Sequence, residues 1–344
     1  MTIGRRPTKA ILDDDNRIRG ELDCHPFIDA ADNLSPNPRA GSFYIVSYVQ
    51  DGKSKFTVLF HLMFFVGALG RRVPQLAISV FDDETHYFST EMNYFWPDVT
   101  KVGEGLNITT PGGSLSGTID SLFVKGQIED EDGSNRFKMD LTMEPRGPVL
   151  PNLLTGVIPF ADGVNYEYAL PRMKTSGNMT VRDKQYSVTG WSWLDREWGT
   201  LGPSKWTWMN IQLDIENDEK VAQMSIWDEQ TDNTNPRSYV GGPRRFATIL
   251  SPTGQLIAAP VKIEELDHFP SNRTDRTYAK EWRVIIPGRA DLNVKLLYDQ
   301  QEIVSEVGIH RVEGKARVTG KYEGENRTGV AMVEMFNLFP VFAR

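Results

Sequence analysis

Short runs of alternating or continuous apolar residues recur along nearly the whole chain, separated by Gly, Asn, Asp and Pro. Helical periodicity is weak throughout. In the first part these runs are Phe43–Val49, Lys55–Val66, Gln75–Phe81, Leu106–Thr110, Ser121–Glu129 and Arg136–Met143. A period of two puts alternate side chains on opposite faces of a strand, so one face can be buried. Asp51-Gly52 and Asp132-Gly133 read as hairpin turns between such runs. The pattern is that of an antiparallel barrel or sandwich. It is interrupted at Pro145-Arg146-Gly147-Pro148-Val149-Leu150-Pro151, where the prolines exclude a sheet interior and predict a crossing loop. A second strand-rich region runs from Val164 to the end. The expected organisation is all-β, with one domain over 1–150 that includes a polar N-terminal arm over 1–40, and a second over 151–344 that carries the Trp-rich segment. Residues 229–245 are expected to form a long polar loop, a lid or a pocket rim.

The chain has 344 residues, 40% hydrophobic and 24% charged, enough for a sizeable core. A net charge of −8, with local basic groups no larger than the isolated pairs Arg5-Arg6, Arg71-Arg72 and Arg244-Arg245, argues against nucleic acid as a partner. The apolar run Phe56–Leu69 is too short and too polar to span a membrane. Cys24 is the only cysteine, so no intrachain disulfide can form. Residues 1–7 lack the apolar stretch of a signal peptide, and a cytoplasmic location is expected. Oligomeric state is not readable.

Five of the 8 tryptophans fall between 191 and 208. Alternation places Trp191, Trp193, Asp195 and Glu197 on one strand face, with Ser192, Leu194, Arg196 and Trp198 on the other. In the next strand Thr207, Met209, Ile211, Leu213 and Ile215 form an apolar face. The opposite face carries Trp206, Trp208, Asn210, Gln212 and Asp214. Aromatic walls with a few polar groups are the material of a small-molecule pocket. A carboxyl held against indole rings is disposed to keep its proton, which makes Asp195 or Glu197 a usable acid. The alternative is that Asp195, Arg196 and Glu197 form a structural ion-pair cluster at a barrel corner. Both stay open on the sequence.

His61, within an apolar strand, could donate a proton, but the commoner role of such a histidine is in the core. Tyr166 and Tyr168 could extend the aromatic wall or pack the barrel. The histidines show no metal-ligand spacing, so no metal site is expected. Nucleotide-binding glycine motifs and the Gly-x-Ser-x-Gly elbow are absent, so no cofactor is expected and a serine hydrolase is disfavoured.

Trp193-Leu194-Asp195-Arg196-Glu197-Trp198-Gly199 resembles the Asp-Arg/His-x-Trp-Gly signature of the AttH/CrtC-like two-domain lipocalin-like family. That group includes carotenoid 1,2-hydratases, kievitone-hydratase-like fungal enzymes and fungal Diels–Alderases. Tyr166–Met179, with its Thr175-Ser176-Gly177 turn, is similar to the family's Tyr-rich strand. Arg311-Val312-Glu313-Gly314, Gly320 and Gly329–Glu334 resemble its closing pattern. Gly41-Ser42-Phe43-Tyr44-Ile45 departs from the family's early Glu-Trp-Trp-Tyr. The resemblance implies two packed lipocalin-like antiparallel barrels or curved sheets, with Glu334 in a strand that closes the second. It also implies a cofactor-independent natural-product tailoring enzyme acting on a hydrophobic, unsaturated small molecule such as a polyene, isoprenoid or polyketide. The activity would be that of an isomerase or cyclase of Diels–Alderase type, with Asn210, Gln212 or Arg196 polarising an activating carbonyl, or of a hydratase or dehydratase. The competing expectation is a carrier with the same walls and no use for an acid.

Overall fold

The computed structural model describes residues 40–66, 72–94, 98–102, 105–118, 120–129, 135–160, 163–199, 204–214, 222–231, 244–305 and 310–337. The N-terminal arm, the Asp132-Gly133 turn and most of the 229–245 loop lie outside them. In chain order the strands are β1 (Ala40–Asp51), β2 (Ser54–Val66), β3 (Arg72–Asp82), β4 (Phe88–Tyr94), β5 (Asp98–Val102), β6 (Gly105–Thr110), β7 (Gly113–Thr118), β8 (Ser121–Glu129), β9 (Asn135–Pro145), β10 (Leu150–Pro151), β11 (Val157–Phe160), β12 (Gly163–Val181), β13 (Lys184–Gly199), β14 (Ser204–Leu213), β15 (Gln223–Thr231), β16 (Arg244–Leu250), β17 (Leu256–Pro260), β18 (Lys262–Pro270), β19 (Thr277–Ile286), β20 (Ala290–Leu296), β21 (Glu302–Ile303), β22 (Arg311–Tyr322) and β23 (Glu325–Asn337). Apart from a 3-10 turn at Asn152–Leu154, no helix occurs among the described residues. All-β architecture follows from the period-two pattern, as expected.

The chain forms two compact units, each a curled antiparallel sheet. The first comprises Met1–Val149 and Asn165–Thr200; the second comprises Leu150–Val164 and Leu201–Arg344. The first sheet runs β4-β3-β2-β1-β13-β12-β9-β8-β7-β6-β5, and the second β17-β16-β15-β14-β23-β22-β20-β19-β18. The chain leaves the first unit at the proline-rich crossing, near the expected boundary at 150. It then returns to that unit for Asn165–Thr200. The Trp-rich strand β13 therefore belongs to the first unit and not, as expected, to the C-terminal half. The reason is strand pairing: β13 is bonded to β1 on one side and β12 on the other. Periodicity shows that a segment is a strand, not which sheet it joins.

Hairpin chemistry sets the register. Gly52 takes φ 58 in the two-residue loop between Asp51 and Ser54. The β12–β13 and β22–β23 hairpins turn on Arg182-Asp183 and Glu323-Gly324, all four at positive φ, as the twist-matched two-residue turns require. Gly177, expected in a turn, sits inside β12 at φ 156, where β9 passes close.

In the middle of each open sheet the last strand in chain order pairs with the first, β13 with β1 and β23 with β14. A glycine on each of these last strands permits the approach. A Cβ on Gly190 would meet the Tyr48 carbonyl oxygen at 2.1 Å, and one on Gly329 the Gln212 carbonyl oxygen at 2.3 Å. The first core contains Phe43, Phe60, Leu76, Phe137, Leu194 and Trp198; the second contains Met209, Ile211, Ile226, Trp282, Val318 and Val333. Fully burying a side chain of this kind is worth about 1.5–3 kcal/mol.

Candidate active site

In the first unit the predicted alternation holds along β13. Leu194 and Trp198 enter the core, while Trp193 and Asp195 point to the opposite sheet face, where they are also buried. Register aligns Asp195 with Tyr44 on β1, and Tyr44 with His61 on β2. A carboxyl, a phenol and an imidazole thus form one row across three strands, all buried. The Tyr44 and His61 rings meet edge-to-face, with centroids 4.8 Å apart. His61 therefore shares a face with Asp195, although nothing in its own strand signals this. One row on, Glu197 faces Glu167 of β12 and accepts a hydrogen bond from Asn165 Nδ2 at 2.6 Å. Trp191 is half-buried at the edge of the same face, with the Arg172 guanidinium 3.7 Å from its ring centroid.

Three candidates lie elsewhere in this unit. Arg196 points into the core. There its guanidinium lies 4.5 Å from the Phe43 ring centroid and 5.0 Å from that of Trp198, and Nη1 donates to the carbonyl oxygens of Ser42 and Glu197. The Asp-Arg-Glu triplet is therefore not one cluster, because adjacent residues of a strand face opposite ways. Tyr168 packs in the core and Tyr166 against it, stacked on Trp198 at 5.5 Å. They are on the opposite face from Asp195. Glu167, between them, is the residue on the acid's face, and alternation within Tyr166-Glu167-Tyr168 could have shown it.

In the second unit Met209, Ile211 and Leu213 enter the core, as the pattern predicts. Trp206, Trp208, Asn210 and Gln212 occupy the other face, every one buried. Pairing extends this face into rows. Glu313, Glu334, Trp208, Trp227 and Phe246 form one; Lys315, Met332, Asn210, Ser225 and Thr248 the next; and Gln212 pairs with Gln223 beyond them. Trp206 stacks on Phe336, centroids 4.6 Å apart and planes 2° from parallel. Trp206 Nε1 donates to Glu334 at 3.3 Å, and Trp208 Nε1 to Ser225 Oγ at 3.1 Å. Asn210 Oδ1 accepts from the Met332 amide at 2.7 Å, so part of its amide is structural. The Glu313 and Glu334 carboxylates approach within 4.8 Å of each other. Glu313 is ion-paired with fully buried Arg311 at 2.8 Å. Trp227, Gln223, Arg311 and Glu313 were not singled out as site residues from sequence. Their faces depend on strand pairing, which a single strand does not reveal.

Comparison with known proteins places the chain. It matches the AttH-like family over residues 75–337. The protein belongs to the AttH-like family. Curated relatives include kievitone hydratase of Fusarium solani subsp. phaseoli, 27% identical over 57% of this chain and 56% of the relative. Another is the dehydratase asqC of Emericella nidulans, 29% identical over 58% of each. The chain thus spans less than two thirds of either relative. Among solved structures, kievitone hydratase from Nectria haematococca superimposes with a TM-score of 0.72 at 20% identity, covering 94% of this chain and 97% of that one. An AttH protein from Nitrosomonas europaea gives 0.69 at 16%, covering 92% and 99%. CghA gives 0.57 at 17%, covering 95% and 96%. This AttH-like chain therefore has the family's fold of two curled half-barrel sheets. No helix among its described residues is long and apolar enough to cross a membrane.

Proposed function

We propose that the protein is a cofactor-independent tailoring enzyme that adds water to, or removes it from, a hydrophobic unsaturated small molecule of polyene, isoprenoid or polyketide type, with Asp195 as the proton donor. The observation that carries this reading is the buried row of Asp195, Tyr44 and His61. Asp195 in its acid form gives its proton to an alkene carbon, and the π electrons form the new C–H bond. Water attacks the resulting cation. Its surplus proton returns to the carboxylate, directly or through the phenol and imidazole alongside. Dehydration is the reverse. Trp193, next on the same face, is placed to favour positive charge through its ring quadrupole. The names of the relatives, a hydratase and a dehydratase, support this chemistry. The single cysteine leaves no intrachain disulfide to lose in a reducing compartment, and we place the reaction in the cytoplasm.

The test starts from the ligand extracted with the purified protein, whose unsaturated precursor is incubated with the protein and no cofactor. The expected product is heavier by one water. Asp195→Asn is expected to lower turnover by about 10²–10⁴ while ligand affinity is kept. A product of unchanged mass but new retention would redirect the assignment to a cyclase or isomerase. Ligand recovered intact, with affinity untouched by the substitution, would make the protein a carrier.

A further inference from the structure

Gln212 and Gln223 face each other across β14 and β15, with accessibilities of 0% and 1%. Neither side-chain oxygen or nitrogen of either residue has a hydrogen-bond partner among the described residues. Leaving one such group bare in an apolar interior is costly, and here two complete carboxamides stand side by side. A third lies in the same unit. Asn152 is fully buried, and its amide oxygen and nitrogen also lack partners. The next residue, Leu153, donates its backbone N–H to Thr248 Oγ1 at 2.9 Å. Thr248 belongs to the row of Asn210 and Ser225. The aromatic face of Trp206, Trp208 and Trp227 therefore ends in a group of unsatisfied amides.

We propose that Gln212 and Gln223, with Asn152 in the neighbouring turn, are the specificity-determining end of a ligand site in the second unit and bind a hydroxyl group of a hydrophobic ligand. The amide chemistry selects the group. Each carboxamide offers an acceptor and two donors. A carbonyl or ether oxygen would engage only the donors and leave the amide oxygens bare. A hydroxyl accepts from one amide and donates to the other. The aromatic rows hold the ligand's apolar body, and the amides fix which end enters. This goes beyond the proposed function, and it stands whether the protein turns the ligand over or only carries it.

The test is calorimetric binding of 1-naphthol and naphthalene to the full chain, a pair differing by one hydroxyl. The expected result is that naphthol binds about tenfold or more tightly than naphthalene, and that Gln212→Leu/Gln223→Leu brings the ratio close to one. Replacing bare buried amides by apolar groups also raises the unfolding temperature, so the variant gains stability as it loses discrimination. A native ratio near one, or no binding of either compound, overturns the proposal without any variant. A ratio that survives the double substitution overturns it as well, because the hydroxyl is then read elsewhere. Gln223→Met serves if the double variant fails to fold. Discrimination without turnover would remove the catalytic proposal and leave this one standing.

Discussion

Asp195 in the first unit and Glu334 in the second hold equivalent places. Each sheet pairs its last strand with its first, and that last strand carries a glycine, Gly190 or Gly329, against the partner backbone. Five residues on from each glycine stands a buried carboxyl, Asp195 or Glu334. Their rows differ. Asp195 is followed across the sheet by Tyr44, His61 and Ala77, and Glu334 by Trp208, Trp227 and Phe246. On the proposed reading the first row passes a proton and the second is a wall. The arginines differ as well. Arg311 and Glu313 are two apart on one strand face and form a buried ion pair facing Glu334. Arg196 is adjacent to Asp195, so it points into the core and bonds backbone carbonyls. A spacing of two commits a carboxylate to its guanidinium; a spacing of one leaves the acid separate from it. On the proposed reading, one pairing plan serves a proton-handling face in one unit and a binding face in the other.

The most severe test of this contrast is a matched pair of amide substitutions. Asp195→Asn is expected to lower turnover by about 10²–10⁴. Glu334→Gln keeps an acceptor for the Trp206 N–H and is expected to stay within about tenfold of the native rate. Equal losses in a steady-state assay would mean that the two rows do not have separate roles. Next in size is the ion pair. Arg311→Met leaves the Glu313 charge buried without its guanidinium and is expected to cost about 3–5 kcal/mol in urea unfolding. Adding Glu313→Leu should recover most of that loss. A small effect of the single substitution would show that Glu313 is not held by Arg311.

A smaller effect checks the shared pairing of last and first strand itself. Gly190→Ala and Gly329→Ala each push a methyl into a carbonyl of the facing strand, and each should cost about 1–3 kcal/mol. Similar losses would support equivalence; a loss at one site only would break it. These glycines also mark how far the sequence could be read. Gly329 and Glu334 stood out as a pattern, and the alternation of Trp206, Trp208, Asn210 and Gln212 gave their face correctly. Trp193 and Asp195 were legible for the same reason. What alternation lacks is a partner strand. It could not place β13 in the first sheet, set His61 beside Tyr44 and Asp195, or bring Glu313 opposite Glu334, since pairings between residues distant in sequence leave no local trace. Arg196 shows the opposite error: proximity in sequence suggested a cluster that the period of two forbids.

The smallest expected effect tests whether acid sensitivity arises away from both rows. Burial, and secondarily the Arg276 charge, hold the His310 imidazole below its usual pKa. The Ser305 N–H donates to its Nδ1 at 3.1 Å, a bond available only to a ring unprotonated at that nitrogen. As pH falls below about 6.5, the unfolded chain takes up the proton before the folded one does. The contribution is therefore complete above that value and is lost as pH falls through the lower folded-state pKa. His310→Gln should flatten the drop in unfolding temperature between about pH 7 and pH 5 without changing turnover at neutral pH. The partial exposure of the ring keeps the shift small. If turnover falls with the substitution, the strand start at Arg311 transmits more to the Glu313–Glu334 row than its ion pair alone explains.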